Sequence, residues 1–115
     1  MSSKFPTRYY SSKQEKHIAK ELGGKQVSNS GATRFDKGDV ILSDWLIEAK
    51  TCTQEKKSFA IKKEWLQKNE EEAFAMGKSY SALAFDFGDG EQHYIISEQL
   101  FKLLVEYLKE ENYNN

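Results

Sequence analysis

Cysteine is almost missing from this 115-residue chain. Cys52 is the single example, so no intrachain disulfide can form, which suits a reducing compartment. Histidine is scarce too, and His17 and His93 beside one cysteine are too few for a Cys/His zinc site. No apolar run approaches the roughly 20 residues of a membrane span, and the N-terminal stretch lacks the apolar core of a secretory signal. These absences predict a cytoplasmic protein with no membrane partner. No internal repeat, low-complexity tract, P-loop or glycine-rich nucleotide-binding motif is present.

A net positive charge is also lacking, the balance being −1, yet its distribution is uneven. Residues 1–69 hold 14 Lys and Arg against 8 Asp and Glu, whereas residues 70–115 hold 3 against 10. Phosphate attraction follows local basic surface, not overall balance, so a nucleic-acid partner stays open for the first part. With 38% hydrophobic and 30% charged residues, the composition is that of a soluble globular protein and not of a disordered tail. The length fits one α/β domain with a modest core.

The most informative segment is Gly38-Asp39 followed by Glu48-Ala49-Lys50. Val40 to Leu42 and Trp45 to Ala49 are apolar and β-prone, with Ser43-Asp44 between them as a turn. A symmetric turn pairs Leu42 with Trp45, Ile41 with Leu46, Val40 with Ile47 and Asp39 with Glu48, and alternation puts Lys50 on the face of Glu48. Opposed carboxylates in a sheet have Cβ atoms about 5 Å apart, a repulsion on the order of 3 kcal/mol at an effective dielectric of 20. A divalent cation offsets it, since Mg²⁺ is commonly held by one or two carboxylates and keeps water or phosphate oxygens in its other positions. Lys50 would then orient water or stabilise transition-state charge. A solvated hairpin end, with Lys50 neutralising two surface acids, accounts for the same spacing. Asp36 is a weaker candidate than Asp39, because it precedes the strand and does not face Glu48.

Around this hairpin the pattern predicts a short arm over residues 1–10, then a helix from about Lys13 to Leu22 with Ser12 and Glu15 as a capping box and Gly23-Gly24 as its stop. Lys25 to Ser28 is a weak strand. Asn29 to Lys37 is a polar loop containing Ser30, Gly31, Thr33 and Arg34, the last a phosphate-contact candidate. Thr51 to Ser58 carries Lys56-Lys57, and a helix from Ile61 to Met76 turns Ile61, Trp65, Ala73 and Met76 inward, with Lys62, Lys63 and Lys68 outside or flanking. Trp65 reads as a core residue before a base-stacking platform. Strands over Ser81 to Phe87 and His93 to Ser97 flank the turn Gly88-Asp89-Gly90-Glu91. The last helix, about Glu98 to Glu110, is followed by a tail over 111–115. Its apolar surface is wider than one core-facing stripe needs, which fits a second subunit or a deeply buried helix in a monomer.

Gly38-Asp39 and Glu48-Ala49-Lys50 resemble the PD-(D/E)XK nuclease signature, with glycine in place of its proline. The order of elements is similar to that superfamily's αβββαβ restriction-endonuclease-like core, a mixed central sheet flanked by helices. Within the superfamily, the chain most resembles the small archaeal-type Holliday junction resolvases, including versions carried by phages, for which the location would be a host cytoplasm. The likeness lies in length, the early helical Glu15, the glycine-containing loop before Asp39 and the lysine-rich helix after Lys50, over roughly residues 11–97. It implies a Mg²⁺-dependent endonuclease, with Mn²⁺ able to substitute, that cuts four-way DNA junctions as a homodimer. Asp39, Glu48 and the main-chain carbonyl of Ala49 would hold the metal, Lys50 would be catalytic, and Glu15 would be a supplementary metal or water ligand. Ser30, Arg34, Lys56, Lys57, Lys62 and Lys63 would contact DNA. Another endonuclease of the superfamily, restriction-like or acting in replication and repair, is the enzymatic alternative. A non-catalytic nucleic-acid-binding module is the other.

Overall fold

The computed structural model describes residues 6–27 and 39–114. Helix α1 spans Thr7–Leu22, with Pro6 as its N-cap. It starts six residues before the expected Lys13, so Thr7 to Tyr10 belong to the helix and not to an arm over 1–10. Proline has no N–H to leave unsatisfied at a helix start, and the Tyr9 N–H donates to the Pro6 carbonyl at 2.9 Å. Nothing between Thr7 and Ser12 breaks the helix. Ser12 and Glu15 therefore lie inside it, and the expected capping box does not exist. Gly23 ends the helix with φ 71°, a left-handed conformation that favours glycine. At Gly24 a Cβ would approach the Ile41 carbonyl to 2.7 Å, so two adjacent glycines let the chain turn tightly under the sheet.

Five strands form one sheet in the order β1 (Lys25–Gln26), β2 (Asp39–Ile41), β3 (Trp45–Lys50), β4 (Tyr80–Phe85) and β5 (His93–Ile95). The β3–β4 pair is parallel and the others are antiparallel, giving a mixed α/β architecture. A parallel pair needs a crossover, supplied here by α2 (Lys63–Ala75). This helix is close to the expected span, and Gly77 at φ 74° follows its end. The β2–β3 register is the expected one, with Asp39 facing Glu48, Val40 facing Ile47 and Ile41 facing Leu46, and the Leu42 N–H donating to the Trp45 carbonyl at 3.0 Å across the turn.

The pleat divides the core. Val40, Ile47, Ala49, Ala82 and Ala84 gather with Ile18 of α1 on one face. Leu46 and Leu83, both fully buried, alternate to the other face, where α2 buries Asn69, Glu72 and Ala73.

Helix α3 (Glu98–Asn114) runs past the expected Glu110 and takes in most of the expected tail over 111–115. Ser97 starts it, its Oγ accepting the Leu100 N–H at 3.1 Å. Among its described side chains Leu100 alone is buried, while Phe101, Leu103, Tyr107 and Leu108 are each more than half exposed. The deeply buried helix is excluded for this chain on its own. Among the described residues no helix is long and apolar enough to cross a membrane.

Candidate active site

Strand pairing assembles the centre of the site. Asp39 begins β2, Glu48 is its partner on β3, and Lys50 lies two residues on. Since Val40, Ile47 and Ala49 point at α1, alternation sends Asp39, Glu48 and Lys50 to the α2 face. Asp39 is 3% exposed, so the solvated hairpin end does not describe this residue. The Lys50 ammonium lies 2.8 Å from Glu48 Oε2 and 4.3 Å from the centre of the Trp65 ring. It is held between an anion and the negative face of an aromatic, a contact generally worth about 0.5–2 kcal/mol. Trp65 is half-buried: the core reading missed that its ring seats the lysine. The sequence puts Trp65 among the inward positions of the helix that follows Lys50 but carries no signal for which side chain it meets.

An open cleft of about 430 Å³ runs along this group, lined by Glu48, Lys50, Glu64, Trp65, Lys68 and Glu71 among others. At its base Glu48 Oε1 is buried with no hydrogen-bond partner among the described residues. A carboxylate oxygen left so is costly. An oxygen-preferring cation would satisfy it, and the adjacent Asp39 and Glu48 suit an ion that takes one or two carboxylates and fills its other positions with water or phosphate. The Ala49 carbonyl comes from the residue between Glu48 and Lys50. Among the described residues no group of three or more His, Cys, Asp or Glu side chains is gathered closely enough to hold a metal by itself.

Glu15 approaches from another direction. It is 5% exposed and three residues before Ile18, on the side of α1 that meets the sheet. Its Oε1 accepts from Gln26 Nε2 at 3.4 Å, and Gln26 faces Val40 in the β1–β2 pair. That anchors Glu15 on the α1 side, whereas Glu48 and Lys50 point toward α2.

Gln14 was not foreseen. It is 6% exposed; its Nε2 donates to the Lys50 carbonyl at 3.1 Å and to Gln92 Oε1 at 2.8 Å, and its Oε1 accepts from Thr51 Oγ1 at 3.1 Å. Gln92 Nε2 in turn donates to buried Asp86 at 2.7 Å. One buried amide thus ties α1 to the end of β3 at Lys50. The helical step of four from Gln14 to Ile18 puts it on the apolar stripe, where a polar residue signals a buried hydrogen bond.

Of the proposed DNA contacts, Ser30 and Arg34 lie outside the described residues, as do Gly38 and Asp36. Lys56, Lys57, Lys62 and Lys63 are exposed. The Lys56 N–H donates to the Phe87 carbonyl at 2.8 Å, and a Cβ at Gly88 would collide with the backbone of Gln54 and Glu55, so this loop is pressed against the β4–β5 turn. Lys62 and Lys63 open α2 beside the cleft, with Lys62 Nζ 5.8 Å from the Trp65 ring. Compared with known proteins, the chain matches no family model, no curated protein and no solved structure.

Proposed function

We propose that the chain is a Mg²⁺-dependent DNA endonuclease of the PD-(D/E)XK type, with branched DNA, and four-way junctions first, as its substrate. The observation that carries this reading is the pairing of Asp39 with Glu48, Lys50 bonded to Glu48 on the same face. The order α1, β1, β2, β3, α2, β4 supports assigning the superfamily's core to this sheet. Mn²⁺ would substitute for Mg²⁺.

Asp39 and Glu48 would hold the cation, with the Ala49 carbonyl as a further ligand. When bound, the metal supplies a polarised phosphate oxygen and a more acidic water. Lys50 carries the positive charge nearest the acids, and its ammonium stabilises the charge that builds on the phosphoryl oxygens as the phosphodiester is attacked. Trp65 keeps that ammonium at the cleft when Glu48 is engaged elsewhere. Gln14 fixes the Lys50 backbone. Lys62 and Lys63 attract the DNA backbone at the cleft's end, so binding weakens steeply with salt. Glu15, held by Gln26 on the α1 side, would join the site only if DNA binding brings α1 closer to the hairpin.

The test is purified protein with Mg²⁺ or Mn²⁺ on a four-way junction, a replication fork, linear duplex and single-stranded DNA. Preferential cleavage of the junction is expected. Equal cutting of duplex would favour a different endonuclease of the superfamily, and tight binding without cleavage under either metal would leave a non-catalytic binding module.

A further inference from the structure

Register sets a row of side chains across the sheet at the level of Lys50. Lys50 faces Phe85 in the parallel β3–β4 pair, and Phe85 faces His93 in the antiparallel β4–β5 pair. Paired residues in a sheet share a face, so Phe85 and His93 lie on the α2 face with Lys50. Phe85 is the centre of an aromatic cluster, with Phe59 at 5.0 Å, Phe87 at 5.4 Å and His93 at 5.5 Å between ring centroids. His93 is also 5.5 Å from Phe87. The three phenylalanines are half-buried, but His93 is exposed, on the last strand of the sheet. Its ring is tilted 33° to that of Phe85, so one face leans on Phe85 and the other turns outward.

The loop between β3 and α2 docks on this cluster twice, through the Phe59 ring and through the Lys56 N–H on the Phe87 carbonyl at 2.8 Å. It thereby brings the exposed Lys56 and Lys57 beside the rings. Neighbouring acids go the other way: Asp86 alternates to the opposite face, where it and Asp89 line a cavity against α1 with Tyr10 and His17. Rings flanked by lysines match single-stranded nucleic acid, whose bases stack on aromatic side chains while its phosphates meet cations. Glu55 and Glu91 are exposed as well and temper the charge, so the preference for a base rests on the ring. We propose that His93, braced by Phe85 and Phe87, is a stacking platform for an unpaired base of the DNA strand that enters the cleft. Two strand spacings put it about 10 Å from Lys50, roughly three nucleotides of stacked strand at about 3.4 Å each.

The inference deepens the nuclease reading and rests on its DNA substrate, but its test uses no cleavage. A duplex with one unpaired fluorescent purine, and the same duplex with that purine paired, are titrated with the full chain in metal-free buffer. The parent should bind the unpaired form at least about fivefold tighter, the lower end of what one base stacked on an aromatic contributes, and purine emission should change on binding. His93→Ala should lose the preference and the emission change, while its affinity for the paired duplex and its melting stay the same, since position 93 is exposed. His93→Phe should keep both, because it retains a ring but no N–H for a phosphate. An unchanged preference in His93→Ala, or its loss in His93→Phe, would overturn the proposal. So would equal binding of the two forms by the parent, and junction cleavage with Mg²⁺ by that protein would leave the nuclease reading standing. Failure to bind either DNA would remove both.

Discussion

The β2–β3 hairpin and α3 invert the usual partition in opposite directions. The hairpin buries charge: Asp39 is 3% exposed and pairs with Glu48, which Lys50 bridges. Helix α3 exposes apolar surface, with Phe101, Leu103 and Leu108 each near 60%. Each violates what folding alone favours, and a chain that satisfies its local rules elsewhere keeps such exceptions where it works. They differ in what resolves them. A small counter-charge can offset a buried acid, whereas covering exposed leucines takes area.

Removing the acids breaks that comparison most severely. Asp39→Asn and Glu48→Gln should each reduce cleavage at least a thousandfold while junction binding is kept or tightened, because negative charge is removed from a surface that meets phosphates. Each variant should still fold, because asparagine and glutamine keep the shape of the side chains they replace. Cleavage assays at saturating Mg²⁺ with thermal melts will read both. Near-normal turnover in either variant would remove these residues as ligands.

Much of the hairpin was legible because period-two alternation and a two-residue turn fix a register by counting, and the observed pairing of Asp39 with Glu48 is the counted one. The start of α1 was not. Ser12 and Glu15 carry a capping pattern, but a pattern inside a continuous helix caps nothing, and Pro6 had already set the start. Nor was the Lys50–Trp65 contact readable, since β3 and α2 are separated by a loop whose path no local rule dictates. The width of α3's apolar arc was plain in the sequence, whereas the exposure of Phe101, Leu103, Tyr107 and Leu108 required the sheet's geometry.

Trp65 sharpens the hairpin side of the comparison. If its ring holds the Lys50 ammonium at 4.3 Å, Trp65→Leu keeps apolar bulk but loses the aromatic face, a change of about 1 kcal/mol and so near fivefold to tenfold in cleavage rate at saturating substrate. Trp65→Phe should recover most of it. Equal rates for the leucine and phenylalanine variants would make Trp65 packing only.

Glu15→Gln should do less. Glutamine preserves the length of the side chain and a hydrogen bond with Gln26, and the site's other acids point to the opposite face, so single-turnover cleavage should fall less than tenfold with melting almost unchanged. A loss equal to that of Asp39→Asn would restore Glu15 as a metal ligand and show that DNA binding closes α1 onto the hairpin.

The smallest effect tests the apolar side. Tyr94 lines an apolar groove on the α1 face of the sheet, with Leu22, Trp45 and Ile96, and its hydroxyl is held above the ordinary value of 10.0, first by burial and then by the Glu21 carboxylate. The folded state therefore favours the neutral phenol. That contribution is complete below about pH 10, where the unfolded tyrosine is also neutral, and is lost as pH rises through the folded value. Urea melts across this alkaline range should show Tyr94→Phe losing less stability than the parent chain, and identical slopes would assign the alkaline loss to another group.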